Sequence, residues 1–198
     1  LLILIFLILG LATEGVAQDA HIKTKGEPSM QKIAFSDTSE LDNWVIINDT
    51  VMGGRSTARL TIDNNYLVFN GYLSLENNGG FASVRRLYDN RSWLPDNPLQ
   101  IKTLGDGRSY QLRLRTNRQM DGVAYVATFQ TVAGEAQSFT FEPSDFTPQF
   151  RGRFVRGAPD LSFDDITQIG FMQAEKAPGE FSLQVLSISQ TQMQLAKQ

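Results

Sequence analysis

A period-two alternation of apolar and polar residues recurs along most of this chain. It is regular in residues 109–116, where polar side chains separate Tyr110, Leu112 and Leu114. Residues 66–75 repeat it, because leucine or phenylalanine occupies four of their odd positions. This period is that of a β-strand with one buried face, and no long stretch keeps the 3.6-residue period of a helix. The pattern therefore predicts an all-β protein.

Turn sequences separate the alternating segments. They are Asn64-Asn65, Gly105-Asp106-Gly107 and Asp121-Gly122. Residues 57–75 and 99–130 are therefore predicted to form successive hairpins. Further strands are predicted at residues 31–35, 44–47, 81–88, 123–131, 137–142, 166–173 and 180–189, with one helical turn in 36–43. About ten short strands in one domain predict an antiparallel β-sandwich, most simply a jelly roll.

The size and charge of the chain restrict its domain organisation and its partners. It has 198 residues, of which 41% are hydrophobic and 20% charged, which fits one domain with a sizeable core. We expect this domain to span residues 31–190, with a C-terminal tail at 191–198. The formal net charge is −3. Since no polybasic cluster is present, nucleic acid and anionic membrane surfaces are poor candidate partners.

The N-terminal segment resembles an export signal. Its first 12 residues are an unbroken apolar run, and Gly15 and Ala17 occupy the −3 and −1 places of a signal-peptidase site. Residues 1–17 are thus predicted to be a signal peptide, and 18–30 a flexible tether. The expected location is periplasmic or extracellular. The alternative is an uncleaved segment that tethers the protein to a membrane, although a spanning helix needs about 18 apolar residues or more.

Residue types exclude most catalytic sites. The chain has no cysteine, and its only histidine, His21, lies in the predicted tether. Thiol nucleophiles, Ser-His-Asp triads and Cys- or His-based zinc sites are therefore not available in the folded part. A carboxylate enzyme would have to use acidic residues at turns, namely Asp49, Glu76, Asp89 and Asp106. Turn capping explains these carboxylates equally well, so we expect a non-enzymatic protein.

Two Gly-Gly corners carry the most distinctive sequence. The first corner is residues 48–56 (NDTVMGGRS), and the second corner is residues 76–83 (ENNGGFAS). Glycine turns the backbone through conformations that other residues rarely adopt. Asp49 in the first corner, and Asn77 and Asn78 in the second, supply side-chain oxygens that can cap N–H groups, hold a cation or face a ligand.

Asp49 is predicted to join the two corners. Its carboxylate would accept hydrogen bonds from backbone N–H groups that the glycines leave uncovered, and Arg85 is the expected counter-charge if the corners meet. Arg55 is expected to be exposed and to contribute to partner binding. The alternative is a structural Ca²⁺ held by Asp49 with Asn48, or by the two asparagines with backbone carbonyls. No other cofactor or metal is expected.

The two corners, together with motifs further along the chain, resemble the complex I intermediate-associated protein 30 family. The later motifs are residues 105–110 (GDGRSY), 146–153 (FTPQFRGR), 169–172 (IGFM) and 179–183 (GEFSL). The resemblance covers about residues 33–188. It implies a galactose-binding-domain-like β-sandwich and a role in the assembly of respiratory complex I. The partner would then be a respiratory-chain subunit or an assembly intermediate.

Two functions stay open at this point. One is a non-enzymatic assembly module that recognises a protein, and the other is an exported carbohydrate-binding module, because many sugar binders share this architecture. Sugar rings stack on exposed aromatic side chains, for which the candidates are Trp93, Tyr72, Tyr88 and Tyr125. Four other aromatic residues are predicted to lie in the core, namely Trp44, Phe69, Phe81 and Phe171.

Three arginines are predicted to share one polar face of the sandwich. Arg113 and Arg115 alternate with the apolar residues of segment 109–116, and Arg85 lies in the strand that follows the second corner. They are candidate binding residues. The other interpretation is a solvated sheet face that discourages edge-to-edge pairing.

Overall fold

The computed structural model describes residues 31–87 and 93–190, which are almost entirely strands and their connections. The strands are β1 (Lys32–Ala34), β2 (Trp44–Asn48), β3 (Thr57–Asp63), β4 (Tyr66–Leu73), β5 (Ala82–Leu87), β6 (Leu99–Leu104), β7 (Ser109–Arg115), β8 (Ala124–Gln130), β9 (Ala136–Phe141), β10 (Thr147–Phe150), β11 (Arg153–Phe154), β12 (Gln168–Gln173) and β13 (Gly179–Gln190). Short 3₁₀ helices occupy Thr38–Asn43, Asp49–Met52, Glu76–Asn78, Pro143–Asp145 and Phe163–Asp165. The predicted signal peptide, tether and C-terminal tail lie outside the described residues.

The strands form two sheets. The six-stranded sheet has the order β3-β4-β13-β6-β9, with β1 also paired to β13, and the seven-stranded sheet has the order β11-β10-β8-β7-β12-β5-β2. All pairs between these strands are antiparallel. The predicted antiparallel β-sandwich is thus confirmed. No helix among the described residues has the length and apolar character needed to cross a membrane.

Period-two alternation determines which face of each strand is buried. In β7, Tyr110, Leu112 and Leu114 are fully buried, and in β4 the same holds for Leu67 and Phe69. Burying one such side chain stabilises the fold by about 1.5–3 kcal/mol relative to leaving it exposed. The inner faces of both sheets meet in one hydrophobic core. The polar residues between the buried ones consequently lie on the outer faces.

Aromatic rings fill much of the space between the sheets. Trp44 stacks on Phe171 with ring centroids 6.4 Å apart, and Phe69 meets Phe181 edge-on at 4.9 Å. The predicted core positions of Trp44, Phe69 and Phe171 are therefore confirmed. The predicted core position of Phe81 is wrong, because this residue of the second corner precedes the first residue of β5 and is only partly buried.

One predicted hairpin is wrong. Strands β7 and β8 pair as expected, but β6 pairs with β13 and β9 in the other sheet. The segment between β6 and β7 therefore crosses from one sheet to the other. Asp106 stabilises this connection. Its carboxylate accepts hydrogen bonds from the backbone N–H of Arg108 at 3.0 Å, the Tyr110 hydroxyl at 3.0 Å and the backbone N–H of Ser182 at 2.7 Å.

Candidate functional site

The carboxylate of Asp49 lies where the two corners meet. Asp49 is completely buried at the start of the 3₁₀ helix Asp49–Met52. Its Oδ1 accepts the N–H of Ser56 at 2.9 Å, and its Oδ2 accepts the Ser56 hydroxyl at 2.5 Å. From the second corner, the N–H groups of Gly80 and Phe81 donate to Oδ2 at 2.7 and 3.3 Å. One carboxylate thus links the first corner to the second.

Two glycines leave room for this carboxylate. A methyl group added at Gly54 would lie 2.4 Å from Cγ of Asp49, and one added at Gly79 would lie 2.5 Å from Oδ2. Both distances are far below van der Waals contact. Glycine is therefore required at residues 54 and 79, because Asp49 lies too close to both for a side chain to fit.

The asparagines of the second corner shape its backbone. Asn77 and Asn78 have positive φ angles of 55° and 59°, which asparagine adopts more readily than most residues. The Asn77 side-chain amide donates to the carbonyl of Gly53 at 3.2 Å, a second link between the corners. Both asparagines are exposed. That these two asparagines bind a partner stays a prediction.

Hydrogen bonding lowers the pKa of Asp49. Burial acts to raise this pKa, but the Ser56 hydroxyl and the N–H groups of Gly80, Ser56 and Phe81 together outweigh it. Asp49 is therefore charged at neutral pH. Within the described residues, both carboxylate oxygens accept hydrogen bonds, as expected for the capping role. The alternative of a structural Ca²⁺ at Asp49 with Asn48 stays a prediction.

The outer side of the corners is apolar and exposed. Val51 is 71% exposed and Met52 65%, although both follow the buried Asp49 within one turn. Three residues after Met52 in the chain, Arg55 forms an ion pair with Glu76 of the second corner at 2.9 Å, and the two side chains are 66% and 64% exposed. We call the exposed side chains of Val51, Met52, Arg55 and Glu76 the corner face.

Arg85 does not serve as the counter-charge of Asp49. Its guanidinium donates instead to the Met120 carbonyl at 2.8 Å and to Oε1 of Gln168 at 3.2 Å. The reason is strand geometry, since the neighbouring Val84 is buried in the core and Arg85 must point to the outer face of the seven-stranded sheet. The backbone N–H groups of the corners stabilise the charge of Asp49 without an arginine.

The three predicted arginines lie together on that outer face. Arg85 of β5 and Arg113 of β7 are both in register with Gly170 of β12, which has no side chain to separate them. Arg115 lines the same small cavity, of about 30 Å³. We call Arg85, Arg113 and Arg115 the arginine cluster.

Burial and mutual repulsion act on the arginine cluster. Burial, followed by the positive charge of Arg115, lowers the pKa of Arg85 to about 10. Burial, Arg115 and Arg85 lower the pKa of Arg113 to about 10 as well. Burial also lowers the pKa of Arg115, against an opposing effect of Asp121. All three guanidinium groups still carry their charge at neutral pH.

Two of the aromatic residues considered for sugar stacking are in the core. Trp93 is 2% exposed and Tyr125 4%. The Gln190 side chain holds the segment after Trp93, because it accepts the Leu94 N–H at 2.7 Å and donates to the carbonyls of Leu94 and Asn97 at 2.9 and 2.8 Å. Trp93 is therefore a core residue and not a binding residue. Tyr88 lies outside the described residues.

Tyr72 is exposed and borders a cleft. Its side chain is 50% exposed on the outer face of the six-stranded sheet, in register with Thr57 of β3 and Glu180 of β13. The adjoining cleft has a volume of about 510 Å³, and Asn70 and Asp106 also contribute to its lining. We call this the tyrosine cleft.

Sequence reasoning missed Ser56, which extends the Asp49 network to the end of β4. Its hydroxyl oxygen accepts the N–H of Ser74 at 3.0 Å, so one hydroxyl contacts Asp49 and a second strand end. The sequence offered one indication of this role, namely that Ser56 is the last residue of the first corner. The exposed pair Val51 and Met52 was also missed, although both lie within that motif.

The sandwich has the fold of known binding modules. A family 11 carbohydrate-binding module of the cellulosomal cellulase Lic26A-Cel5E of Clostridium thermocellum matches with a TM-score of 0.59, over 86% of this chain and 99% of that chain, at 13% identity. A family 11 module from Clostridium thermocellum in complex with a β-1,3-1,4-mixed-linked tetrasaccharide matches with a TM-score of 0.56, over 80% and 94%, at 16% identity. At such identities the likeness shows the fold alone.

The family follows from sequence. The sequence model of the Complex I intermediate-associated protein 30 (CIA30) family matches residues 33–185, and the chain belongs to this family. A curated relative is "Complex I intermediate-associated protein 30, mitochondrial" of Mus musculus, 27% identical in an alignment 177 positions long that covers 76% of this chain and 52% of the relative. The chain thus spans about half the length of that relative.

Proposed function

We propose that this chain is a non-enzymatic binding module of the assembly-factor kind, and that it recognises a protein partner through the corner face. The carrying observation is the exposure of Val51 and Met52, two and three residues after the completely buried Asp49. The free energy falls when a partner covers exposed apolar side chains. Because the Asp49 network holds this segment in place, it loses less conformational entropy on binding than a flexible segment would.

The corner face has the composition of a small protein interface. It combines two exposed apolar side chains, Val51 and Met52, with the exposed charged pair Arg55 and Glu76, and protein interfaces usually combine an apolar centre with a polar rim. Membership of the CIA30 family and the name of the mouse relative support a partner from respiratory complex I or its assembly intermediates. For the location we propose export, which the apolar run in residues 1–12 supports.

The double variant Val51→Ser/Met52→Ser is expected to lose partner capture while keeping its stability. Exposed substitutions change the free energy of unfolding by about 0.5 kcal/mol or less, whereas two central interface side chains contribute enough to weaken binding about tenfold or more. Arg55→Ala is expected to weaken capture in the same direction. Its stability stays nearly unchanged, because an exposed ion pair contributes at most about 1 kcal/mol.

The measurement is a pull-down from native membranes with quantitative mass spectrometry, beside thermal melts of each variant. Val132→Ser/Phe154→Ser is the matched control, since it removes two exposed apolar side chains elsewhere. It should capture partners as the wild type does. Equal loss in both double variants would show nonspecific adhesion and would contradict the role of the corner face.

A second candidate function, carbohydrate binding, is favoured by the tyrosine cleft. An exposed aromatic ring beside hydroxyl, amide and carboxylate groups can stack on a sugar ring and accept its hydroxyl hydrogens. Tyr72, Asn70 and Glu180 supply these groups here. The cleft lies on the sheet opposite the arginine cluster, so it is a separate surface.

Tyr72→Ala is expected to reduce binding to any glycan that the wild type retains by about tenfold or more, because truncating a central aromatic contact removes most of its stacking. The readout is a glycan array followed by calorimetric titration of the hits. Phe154→Ala, which removes an exposed aromatic ring away from the cleft, should leave the titration unchanged. If the array shows no hits with the wild type, carbohydrate binding is rejected.

A further inference from the structure

The arginine cluster concentrates positive charge within a small area of the seven-stranded sheet. Arg85 and Arg113 lie on either side of Gly170, and Arg115 lines the same cavity. A side chain at residue 170 would be blocked, because a methyl group there would lie 2.4 Å from the Val84 carbonyl oxygen. The strand register therefore leaves an opening between the two guanidinium groups.

Within the described residues, the direct hydrogen-bond acceptors of the cluster are all neutral. Arg113 donates to Oε1 of Gln111 at 2.6 Å, and Arg115 donates to the carbonyls of Gly122 and Val123 at 2.6 and 3.3 Å. The acceptors of Arg85, a backbone carbonyl and a glutamine side chain, are neutral as well. Three cations that are partly removed from water thus face one another.

Among the described residues, the acidic residue with an electrostatic effect on the cluster is Asp121, which already forms an ion pair. Asp121 acts on Arg85 and Arg115, but its carboxylate accepts a hydrogen bond from Arg151 at 2.8 Å, and both of these side chains are largely exposed. Among the described residues, the charges that act on Arg113 are those of Arg115 and Arg85, and both repel it. Clustered, partly buried cations favour an anion between them, since planar guanidinium groups bind carboxylates through paired hydrogen bonds.

The cavity limits the size of that anion. At about 30 Å³ it accepts one small group and no sugar ring. A carboxylate at the end of a side chain fits this size and matches the guanidinium geometry. A polyanion is disfavoured, because the formal net charge of the chain is −3.

We propose that the arginine cluster is a binding site for an aspartate or glutamate side chain of the protein partner. This inference rests on the proposed function, because that carboxylate belongs to the partner which the corner face also contacts. The charged contact adds selectivity to the apolar contact, since the desolvated arginines reject a partner that brings no anion.

The first test is a thermal melt of the protein with sodium acetate against sodium chloride at equal ionic strength. Acetate is expected to raise the melting temperature by about 2–4 °C in a saturable manner, as ligand binding to the folded state does. Arg113→Gln should abolish the increment. Arg59→Gln, which removes an exposed arginine from the other sheet, should retain it.

The melting temperature in chloride alone separates a binding role for Arg113 from a structural one. If Arg113 serves binding, Arg113→Gln is expected to melt at or above the wild-type temperature, because it removes one of three mutually repelling charges. A lower melting temperature, together with no acetate increment in the wild type, would overturn the inference. A larger increment with phosphate than with acetate would overturn the assignment to a carboxylate.

Partner capture separates this inference from the proposed function. Arg113→Gln is expected to reduce capture at least about fivefold, with the corner face intact. If Arg113→Gln captures the partner as the wild type does while Val51→Ser/Met52→Ser does not, the carboxylate inference fails and the proposed function stands. If both variants capture normally, both fail.

Discussion

Replacing Asp49 with alanine is expected to lower the free energy of unfolding by about 2–4 kcal/mol, the range for loss of a buried polar network. The change removes the acceptor of four hydrogen bonds, which come from Ser56, Gly80 and Phe81. Hydrogen bonds to a charged group contribute about 1.5–3 kcal/mol each, and buried donors left without an acceptor add a desolvation cost. Urea denaturation measures this loss directly.

Two controls separate the network from the mere loss of a side chain. Asp49→Asn keeps the shape and one acceptor oxygen, so we expect a loss of about 1–2 kcal/mol, between wild type and Asp49→Ala. Asp63→Ala removes an exposed carboxylate and should be nearly neutral. If Asp49→Ala unfolds at the wild-type urea concentration, the corners are held by other contacts and the Asp49 network does not stabilise the fold.

Gly54→Ala is expected to destabilise the protein by about 2–3 kcal/mol, although it adds only one methyl group. That methyl would lie 2.4 Å from Cγ and 2.5 Å from Oδ1 of Asp49, so the carboxylate must leave its position. Gly53→Ala is the matched control. Gly53 has a positive φ of 88° but nothing within 4 Å of the added methyl, so its cost should be only about 1 kcal/mol of backbone strain.

The double variant Asp49→Ala/Gly54→Ala tests whether the two residues act on each other. Removing the carboxylate also removes most of the clash, so the double variant should cost at least about 1 kcal/mol less than the sum of the two single variants. Additive losses would mean that Gly54 is required for a reason unrelated to Asp49.

The sandwich could be predicted because its information is local. Alternation in residues 109–116 assigns each side chain of β7 to a face, and the burial of Leu112 and Leu114 follows from it. Which strands pair with each other, and in which sheet, has no comparable local signal. Residues 105–107 indicate a turn, but whether β6 pairs with β7 depends on distant strands, among them β13.

The candidate site was predictable where chemistry and spacing coincide. Asp49 could be identified because it precedes a glycine pair, and a carboxylate near uncovered N–H groups accepts their hydrogen bonds. Arg85 was assigned wrongly as its counter-charge, although alternation with the buried Val84 already placed it on the outer face. Trp93 lies in a polar stretch without alternation, so no local pattern indicated that its side chain is buried.

The measurement that tests the central claim most directly is site-specific photocrosslinking in cells of the native host. A photoreactive amino acid replaces Met52 in one variant. In a second variant it replaces Lys102, which is exposed on the six-stranded sheet. We expect position 52 to give discrete adducts with a respiratory-chain protein, and position 102 to give none of these. Identical adducts at both positions, or no adduct at position 52, would contradict partner recognition through the corner face.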